Sequence, residues 1–208
     1  MKKFLLIDDH FVVRSGIKGI LLGFFNPCEV HEAIDADSAT EKLKIHTYDL
    51  IMMDIQVPKS NMLGLMKYVN TRCPETRVLM FSMSAENIYA IPFLKVGAMG
   101  FLPKDSPQEE IVKAINLVLN NRKYISATLA DILAKNAIDD TPSNPFNKLS
   151  AREFEIASLL LSGIALTEIA NSLHLQVSTV GTHKARIFEK LGVENLLQLK
   201  ELSGSYGL

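Results

Sequence analysis

Phe4-Leu5-Leu6-Ile7-Asp8-Asp9 is an apolar run that ends abruptly in two carboxylates. Three later stretches repeat the form: Leu50-Ile51-Met52-Met53-Asp54, Val78-Leu79-Met80-Phe81-Ser82 and Gly100-Phe101-Leu102-Pro103-Lys104. Short apolar runs closed by polar residues read as the strands of a parallel sheet. In an open α/β sheet the crevice lies outside the carboxyl ends of the strands, so these polar residues, far apart in sequence, converge there.

Working outward, helix and strand signals alternate. A helix is predicted over 11–25, with Val12, Val13, Ile17, Ile20, Leu21 and Phe24 at helical spacing. A short strand at 29–33 follows, then a helix capped by Ser38 and running to Leu43. Further helices are expected over 65–72 and 88–96, and Pro107-Gln108-Glu109-Glu110 opens a last one, with proline in the first turn and acids at the positive end. The fold class is α/β: a doubly wound five-stranded parallel sheet.

The converging groups form a coherent chemical set. Three carboxylates in one crevice repel one another unless a cation bridges them, and an oxygen-only set suits magnesium. A metal-held aspartate is a competent phosphoryl acceptor, which needs positioning and charge neutralisation. Lys104 supplies charge and Ser82 a hydroxyl. Singly, each residue has a plainer role: the Asp pair as a helix cap, Asp54 and Ser82 as turn formers, Phe101 as core, Lys104 as a solvated charge. Their common place at strand ends, in one order, favours the joint reading.

Asp8, Asp9, Asp54, Ser82, Phe101 and Lys104 together resemble the response-regulator receiver domain, over roughly the first 122 residues. The resemblance implies that Asp54 is the phosphoacceptor and that Mg2+ is held by Asp9, Asp54 and the backbone oxygen of Gln56, with Asp8 acting mainly through metal-bound water. It makes Ser82 the switch hydroxyl, Phe101 the aromatic that turns inward behind it, and Lys104 the contact to the phosphoryl oxygens. One departure lies after Asp54. The stretch Pro58-Lys59-Ser60-Asn61-Met62-Leu63-Gly64 is two residues longer than the usual receiver loop, and Val57 stands where methionine is common.

The chain has 208 residues and a formal net charge of −1, so no global basic field advertises a nucleic-acid partner. The length suits a sheet domain and a small helical one. Cys28 and Cys73 lack metal-site spacing and are too few for a disulfide framework, as in a reducing compartment. Lys2-Lys3 precedes only four apolar residues, so no signal peptide or membrane span is read, and a cytoplasmic protein is expected.

The pattern weakens over 123–147, where Asp139-Asp140-Thr141-Pro142-Ser143-Asn144-Pro145 has a linker composition and 129–133 reads as a short helix. Beyond it the signals are helical. Ser150-Ala151-Arg152-Glu153 has the form of a capping box, Gly163 stops that helix, and 167–173 makes a second. After a turn over 174–177, Ser178 or Thr179 caps a third helix, closed by Gly192, and 196–202 is a fourth. Two short helices and a tight turn, the second polar on its free face, are the layout of a helix-turn-helix.

Leu149-Ser150-x-Arg152-Glu153, Gly163, Glu168-Ile169-Ala170, Leu173, Thr179-Val180, His183, Ile187, Lys190-Leu191 and Val193 resemble the LuxR-type DNA-binding domain of the NarL/FixJ family, over nearly all of 148–208. The resemblance implies that the helix from Thr179 to Lys190 enters the major groove with Thr179, Thr182, His183, Lys184 and Arg186 as contacts. It also implies pairing through the final helix at Leu196, Leu197 and Leu199. Gly181 departs from the pattern, since a basic residue commonly follows the Thr-Val pair. Within 148–208 the basic residues Lys148, Arg152, Lys184, Arg186, Lys190 and Lys200 are matched one for one by glutamates, so a single copy is expected to bind DNA weakly.

The expected organisation is a receiver at 1–122, a linker at 123–147 and an all-α four-helix module at 148–208. The expected function is a two-component response regulator, not a turnover enzyme. A sensor histidine kinase or small phosphodonor phosphorylates Asp54, a homodimer forms, and promoter DNA is bound. Two alternatives stand beside it. One is a phospho-regulated interaction module that has lost DNA binding. The other is an aspartate-nucleophile phosphatase, whose second acid would fall where this chain has Gln56.

Overall fold

The computed structural model describes the chain except residues 59, 85, 139–143, 174, 207 and 208, and gives the backbone alone at 87 and 136–138. Lys59 of the long loop, residues 139–143 of the expected linker and His174 of the expected turn therefore lie outside the described residues. The chain divides into two compact units, Met1–Glu86 with Phe93–Ala127, and Asn87–Pro92 with Thr128–Leu208.

In the first unit β1 (Lys2–Ile7), β2 (Cys28–Ala33), β3 (Leu50–Met53), β4 (Arg77–Ser82) and β5 (Gly100–Pro103) form one sheet in the order β2-β1-β3-β4-β5, all parallel. Between them in the chain run α1 (Phe11–Phe24), α2 (Ala36–Ile45), α3 (Met62–Arg72), α4 (Glu86–Lys95), whose residues Asn87–Pro92 group with the second unit, and α5 (Gln108–Leu119). The doubly wound sheet is the one read from the sequence. Phe4, Leu6, Leu50, Met52, Leu79, Phe81 and Leu102 pack with Ile17 and Leu21 of α1 and Ile111, Ala114, Ile115 and Val118 of α5. The alternate residues Leu5, Ile7, Ile51 and Met53 point to the other face and are buried too. Burial on both faces is why these strands read as unbroken apolar runs.

The strand order reverses between β1 and β3, which is where such a sheet opens a crevice. Ile7 is in register with Met53, so Asp8 and Asp54 each stand one residue past a matched pair. Gly100 is demanded by its neighbour: a Cβ there would lie 2.7 Å from the carbonyl oxygen of Tyr124, which forms a parallel bridge with this residue.

Several local expectations are corrected. The cap of α2 is Asp35, whose carboxylate accepts from Ser38 N–H at 2.7 Å, while Ser38 sits inside the first turn as the reciprocal member of the box. α3 starts three residues earlier than read because Asn61 caps it, accepting from Gly64 N–H at 2.6 Å. Pro107 is the N-cap of α5 and not part of its first turn. On α1 the inward face holds Arg14, Ile17 and Leu21, while Val12 is 79% exposed and Phe24 is also exposed.

The second unit carries α6 (Ala127–Ile138), a 3-10 turn (Pro145–Lys148), α7 (Ala151–Leu161), α8 (Leu166–Ser172), α9 (Val177–Leu191) and α10 (Leu196–Tyr206). Within the expected linker α6 is longer than the short helix read at 129–133, and α10 runs past 202 to Tyr206. The capping box at α7 is present in both directions, with Ser150 Oγ accepting from Glu153 N–H and Glu153 accepting from Ser150 N–H. α9 is capped by Gln176 without a side-chain bond, so Ser178 and Thr179 lie in its first turn. Gly192 ends it in the left-handed conformation at φ 67°, as its place after Leu191 suggested. Phe146, Phe154, Ile156, Leu160, Ile169, Val180, Ile187 and Leu199 are buried. Among the described residues no helix is long and apolar enough to cross a membrane.

Candidate functional site

At the carboxyl edge of β1, β3, β4 and β5, the Asp54 carboxylate is held from four directions. Its Oδ1 accepts from the hydroxyl of Ser82 at 2.5 Å, from Ile55 N–H at 2.6 Å and from Gln56 N–H at 3.3 Å. Its Oδ2 accepts from the Lys104 ammonium at 2.7 Å. Lys104 also pairs with Asp8 Oδ2 at 2.6 Å, and all three side chains are buried. Asp54 N–H donates to Ile7 O at 2.8 Å and Lys104 N–H to Ser82 O at 3.1 Å, so backbone bonds between the strand ends set the side chains.

Burial alone would depress the Lys104 ammonium. Hydrogen bonds to Asp54 and Asp8, reinforced by their charges, outweigh it and raise its pKa above the ordinary lysine value. Ligand atoms of Asp8, Asp9, His10 and Asp54 all lie within 4.8 Å of one another. Three of these donors are carboxylate oxygens, the hard set that magnesium takes, so the acidic pocket fits a divalent cation.

The sequence-predicted receiver residues are thus brought together: Asp8, Asp54, Ser82 and Lys104 in direct contact, and Asp9 beside them. Phe101 is fully buried. Gln56 is exposed and touches Asp54 through its N–H. Two neighbours of the acidic pocket were missed. His10 follows the Asp pair immediately, and its Nδ1 lies 2.9 Å from Asp9 Oδ1 and 3.2 Å from Asp8 Oδ1. Arg14 is buried on α1, donating through Nη1 to the Asp8 carbonyl at 2.7 Å and through Nε to Glu32 at 3.2 Å. Its one signal was a charge at a core position of the helical spacing. The lengthened loop is tied down: Val57 is buried, and Ser60 Oγ accepts from Ala36 N–H at 3.2 Å.

In the second unit, Val180, Ile187 and Leu191 form the buried face of α9, which leaves Thr179, Thr182 and Arg186 exposed. Thr182 donates to Ser178 O at 3.0 Å, and Lys184 lies with Nζ 5.3 Å from the centre of the Phe188 ring. His183 is half-buried, with Nδ1 out of reach of solvent and, among the described residues, without a hydrogen-bond partner. Lys190 pairs with Glu153 at 2.7 Å. Arg152 pairs with Glu155 at 2.7 Å and donates to Leu173 O at 3.1 Å. Two of the module's cations therefore serve its own packing. On α10, Leu199 is fully buried, so it belongs to the core, whereas Leu197 is 66% exposed.

Residues 4–116 match the response regulator receiver domain, and residues 147–202 match the bacterial regulatory proteins of the luxR family. The response regulator UvrY of Escherichia coli (strain K12) is 29% identical over 205 residues, covering 98% of this chain and 94% of that protein. The oxygen regulatory protein NreC of Staphylococcus carnosus is 32% identical over 208 residues, covering 96% of this chain and 95% of that one. In three dimensions the chain resembles RcsB from Salmonella enterica serovar Typhimurium bound to promoter P1flhDC in the presence of phosphomimetic BeF3-, with TM-score 0.80, 22% identity and 98% of each chain covered. A carboxylate-lined crevice at the strand ends and a luxR-type helical module stand in one chain that aligns over 96–98% of its length with such regulators, and the protein belongs to the NarL/FixJ family of two-component response regulators.

Proposed function

We infer that Asp54 is the phosphoacceptor through which this transcription regulator is switched. The observation that carries this reading is the convergence of Ser82 Oγ and Lys104 Nζ on the two oxygens of one buried carboxylate, 2.5 and 2.7 Å away. An Asp54 oxygen attacks the phosphorus of a phosphohistidine on a sensor histidine kinase, or of a small acyl phosphate. The bond from phosphorus to the donor breaks, the donor keeps the electron pair, and an aspartyl phosphate remains. Lys104, already charged at neutral pH, stays as counter-ion to the transferred oxygens, and Ser82 donates to one of them. Asp9, Asp54 and the Gln56 carbonyl would hold Mg2+, with Asp8 acting through water; the ion supplies neutralisation of the charge that builds during transfer. Phe101 is already fully buried and Ser82 already lies on the Asp54 carboxylate, so neither has to move inward for this step.

The working parts of this reading are residues 1–122 and 148–208, joined through 123–147. The chain catalyses its own phosphorylation and dephosphorylation and turns over no other substrate. It acts in the cytoplasm, pairs as a homodimer when phosphorylated, and reads promoter DNA through Thr179, Thr182, His183, Lys184 and Arg186.

The test is acetyl phosphate labelling with Mg2+, followed by selection of duplexes from a random DNA pool with and without beryllofluoride. The expected result is labelling lost in Asp54→Asn and a paired half-site enriched only with beryllofluoride. Full labelling of Asp54→Asn removes Asp54 from the role, and no enrichment in either state overturns the DNA-binding part.

A further inference from the structure

The acidic pocket has a nitrogen donor that an oxygen-only magnesium site does not need. His10 is the N-cap residue of α1, and its side chain makes no cap bond to that helix. Its backbone is fixed on both sides: its N–H donates to Asp8 Oδ1 at 2.8 Å, and its carbonyl accepts from Arg14 N–H at 3.2 Å. The imidazole is thereby carried to the pocket mouth with Nδ1 between Asp9 Oδ1 at 2.9 Å and Asp8 Oδ1 at 3.2 Å. Lys104 occupies the opposite oxygens, Oδ2 of Asp8 and Oδ2 of Asp54. Among the described residues this is the one grouping of three or more histidine, cysteine or acidic side chains with metal-ligand spacing, and His10 is its fourth member.

A surface histidine beside a carboxylate is ordinarily a weak ion pair. One Nδ1–H donates well to a single acceptor, however, whereas here two oxygens from two residues share the same nitrogen. Three hard oxygens with one imidazole make a donor set better matched to first-row transition ions than to magnesium, which binds nitrogen poorly.

We propose that His10 is a fourth ligand of the receiver's metal site, through Nδ1, and shifts its preference from magnesium toward divalent first-row transition metals. The proposal rests on the reading of Asp8, Asp9 and Asp54 as the metal pocket. It makes His10 the residue that sets ion selectivity, with the neutral imidazole keeping its proton on Nε2 when the ion is held.

The experiment uses the full chain and Mn2+ as a paramagnetic probe, reading 14N modulation of the bound ion by pulsed electron paramagnetic resonance. Co2+ and Mg2+ affinities are measured alongside by calorimetry. Expected are a directly coordinated nitrogen in the wild type, its loss in His10→Gln with Mn2+ still bound, and a tenfold or greater fall in Co2+ affinity that exceeds the change for Mg2+. Mn2+ bound in an Asp54-dependent way without a nitrogen signal overturns the proposal and leaves the metal pocket standing. A nitrogen signal that survives His10→Gln also overturns it, as does a wild type that binds no Mn2+, which removes the pocket reading as well.

Discussion

Lys190 of α9 reaches across to Glu153 of α7 and closes to 2.7 Å on the same carboxylate oxygen that accepts from the N–H of Ser150. One side chain thus completes the cap of α7 and anchors the helix that faces outward. The Glu153 carboxylate is 5% exposed, and burial pushes its pKa up, but the Lys190 and Ser150 hydrogen bonds more than offset this and hold it below the usual carboxylate range. A group with a lowered folded pKa contributes stability above its unfolded value and loses it as pH falls through the folded one. Acidification below about pH 4 is therefore expected to loosen the contact between α7 and α9. Hydrogen exchange of their amides reads this, and Glu153→Gln should raise exchange at neutral pH by the equivalent of about 1–2 kcal/mol and flatten the acid dependence.

Lys104 is the internal counter-ion of Asp8 and Asp54, supplying positive charge that a metal would otherwise have to bring. Replacing it with a shape-similar neutral residue, Lys104→Met, leaves two buried carboxylates facing each other. The variant should melt lower than wild type without Mg2+, by several degrees, and recover more on Mg2+ addition than wild type gains. Thermal unfolding with and without the ion measures both terms. Equal Mg2+ gains in the two proteins would show that the ion does not stand in for the missing ammonium charge.

Gly181 lies in α9, and a Cβ built there meets nothing within 4 Å. Its absence of a side chain is therefore not a packing requirement. Gly181→Ala should stabilise the helix by about 1 kcal/mol. Gly181→Lys should also tighten DNA binding and steepen the dependence of log affinity on log salt by about 1, as one more phosphate contact does. Fluorescence anisotropy with duplex DNA over a salt series checks this, and an unchanged slope would place Gly181 off the nucleic-acid face.

Leu197 and Leu199 separate pairing from folding. Leu199 is fully buried, so Leu199→Ala should cost 2–5 kcal/mol of stability, on the order seen for core truncations. Leu197 is largely exposed, so Leu197→Asp should leave stability within about 0.5 kcal/mol while weakening dimer formation on DNA. Denaturant unfolding and analytical ultracentrifugation with beryllofluoride distinguish the two. A Leu197→Asp protein that dimerises as well as wild type would move the pairing surface off α10.

The strand ends were legible because β1 and β3 are buried on both faces, so each reads as an apolar run that stops where the crevice begins. Ser150 and Gly192 were legible because their roles are local, a side-chain cap and a left-handed turn. What escaped depends on tertiary partners. Arg14 occupies an inward position of α1 because the Asp8 carbonyl and Glu32 await it, and nothing within the helix announces them. Val12 and Phe24 matched the apolar spacing yet face outward, since helical period alone does not fix which stripe meets the sheet. The start of α2 was misplaced because Ser38 is a good cap in isolation, while Asp35 takes that place and enlists Ser38 as its partner. His10 was passed over because its significance is a distance to two side chains, not a spacing.

The last strand of the sheet is four residues long, and its first residue is seated against the backbone of Tyr124, whose N–H donates to Met99 O at 2.8 Å. An outermost strand normally offers a row of free peptide groups on which another chain can nucleate. Here the returning chain covers the start of that row, and glycine is what lets it come close enough. Such a border offers a shortened template for strand addition between copies, so self-association through this edge of the sheet is discouraged.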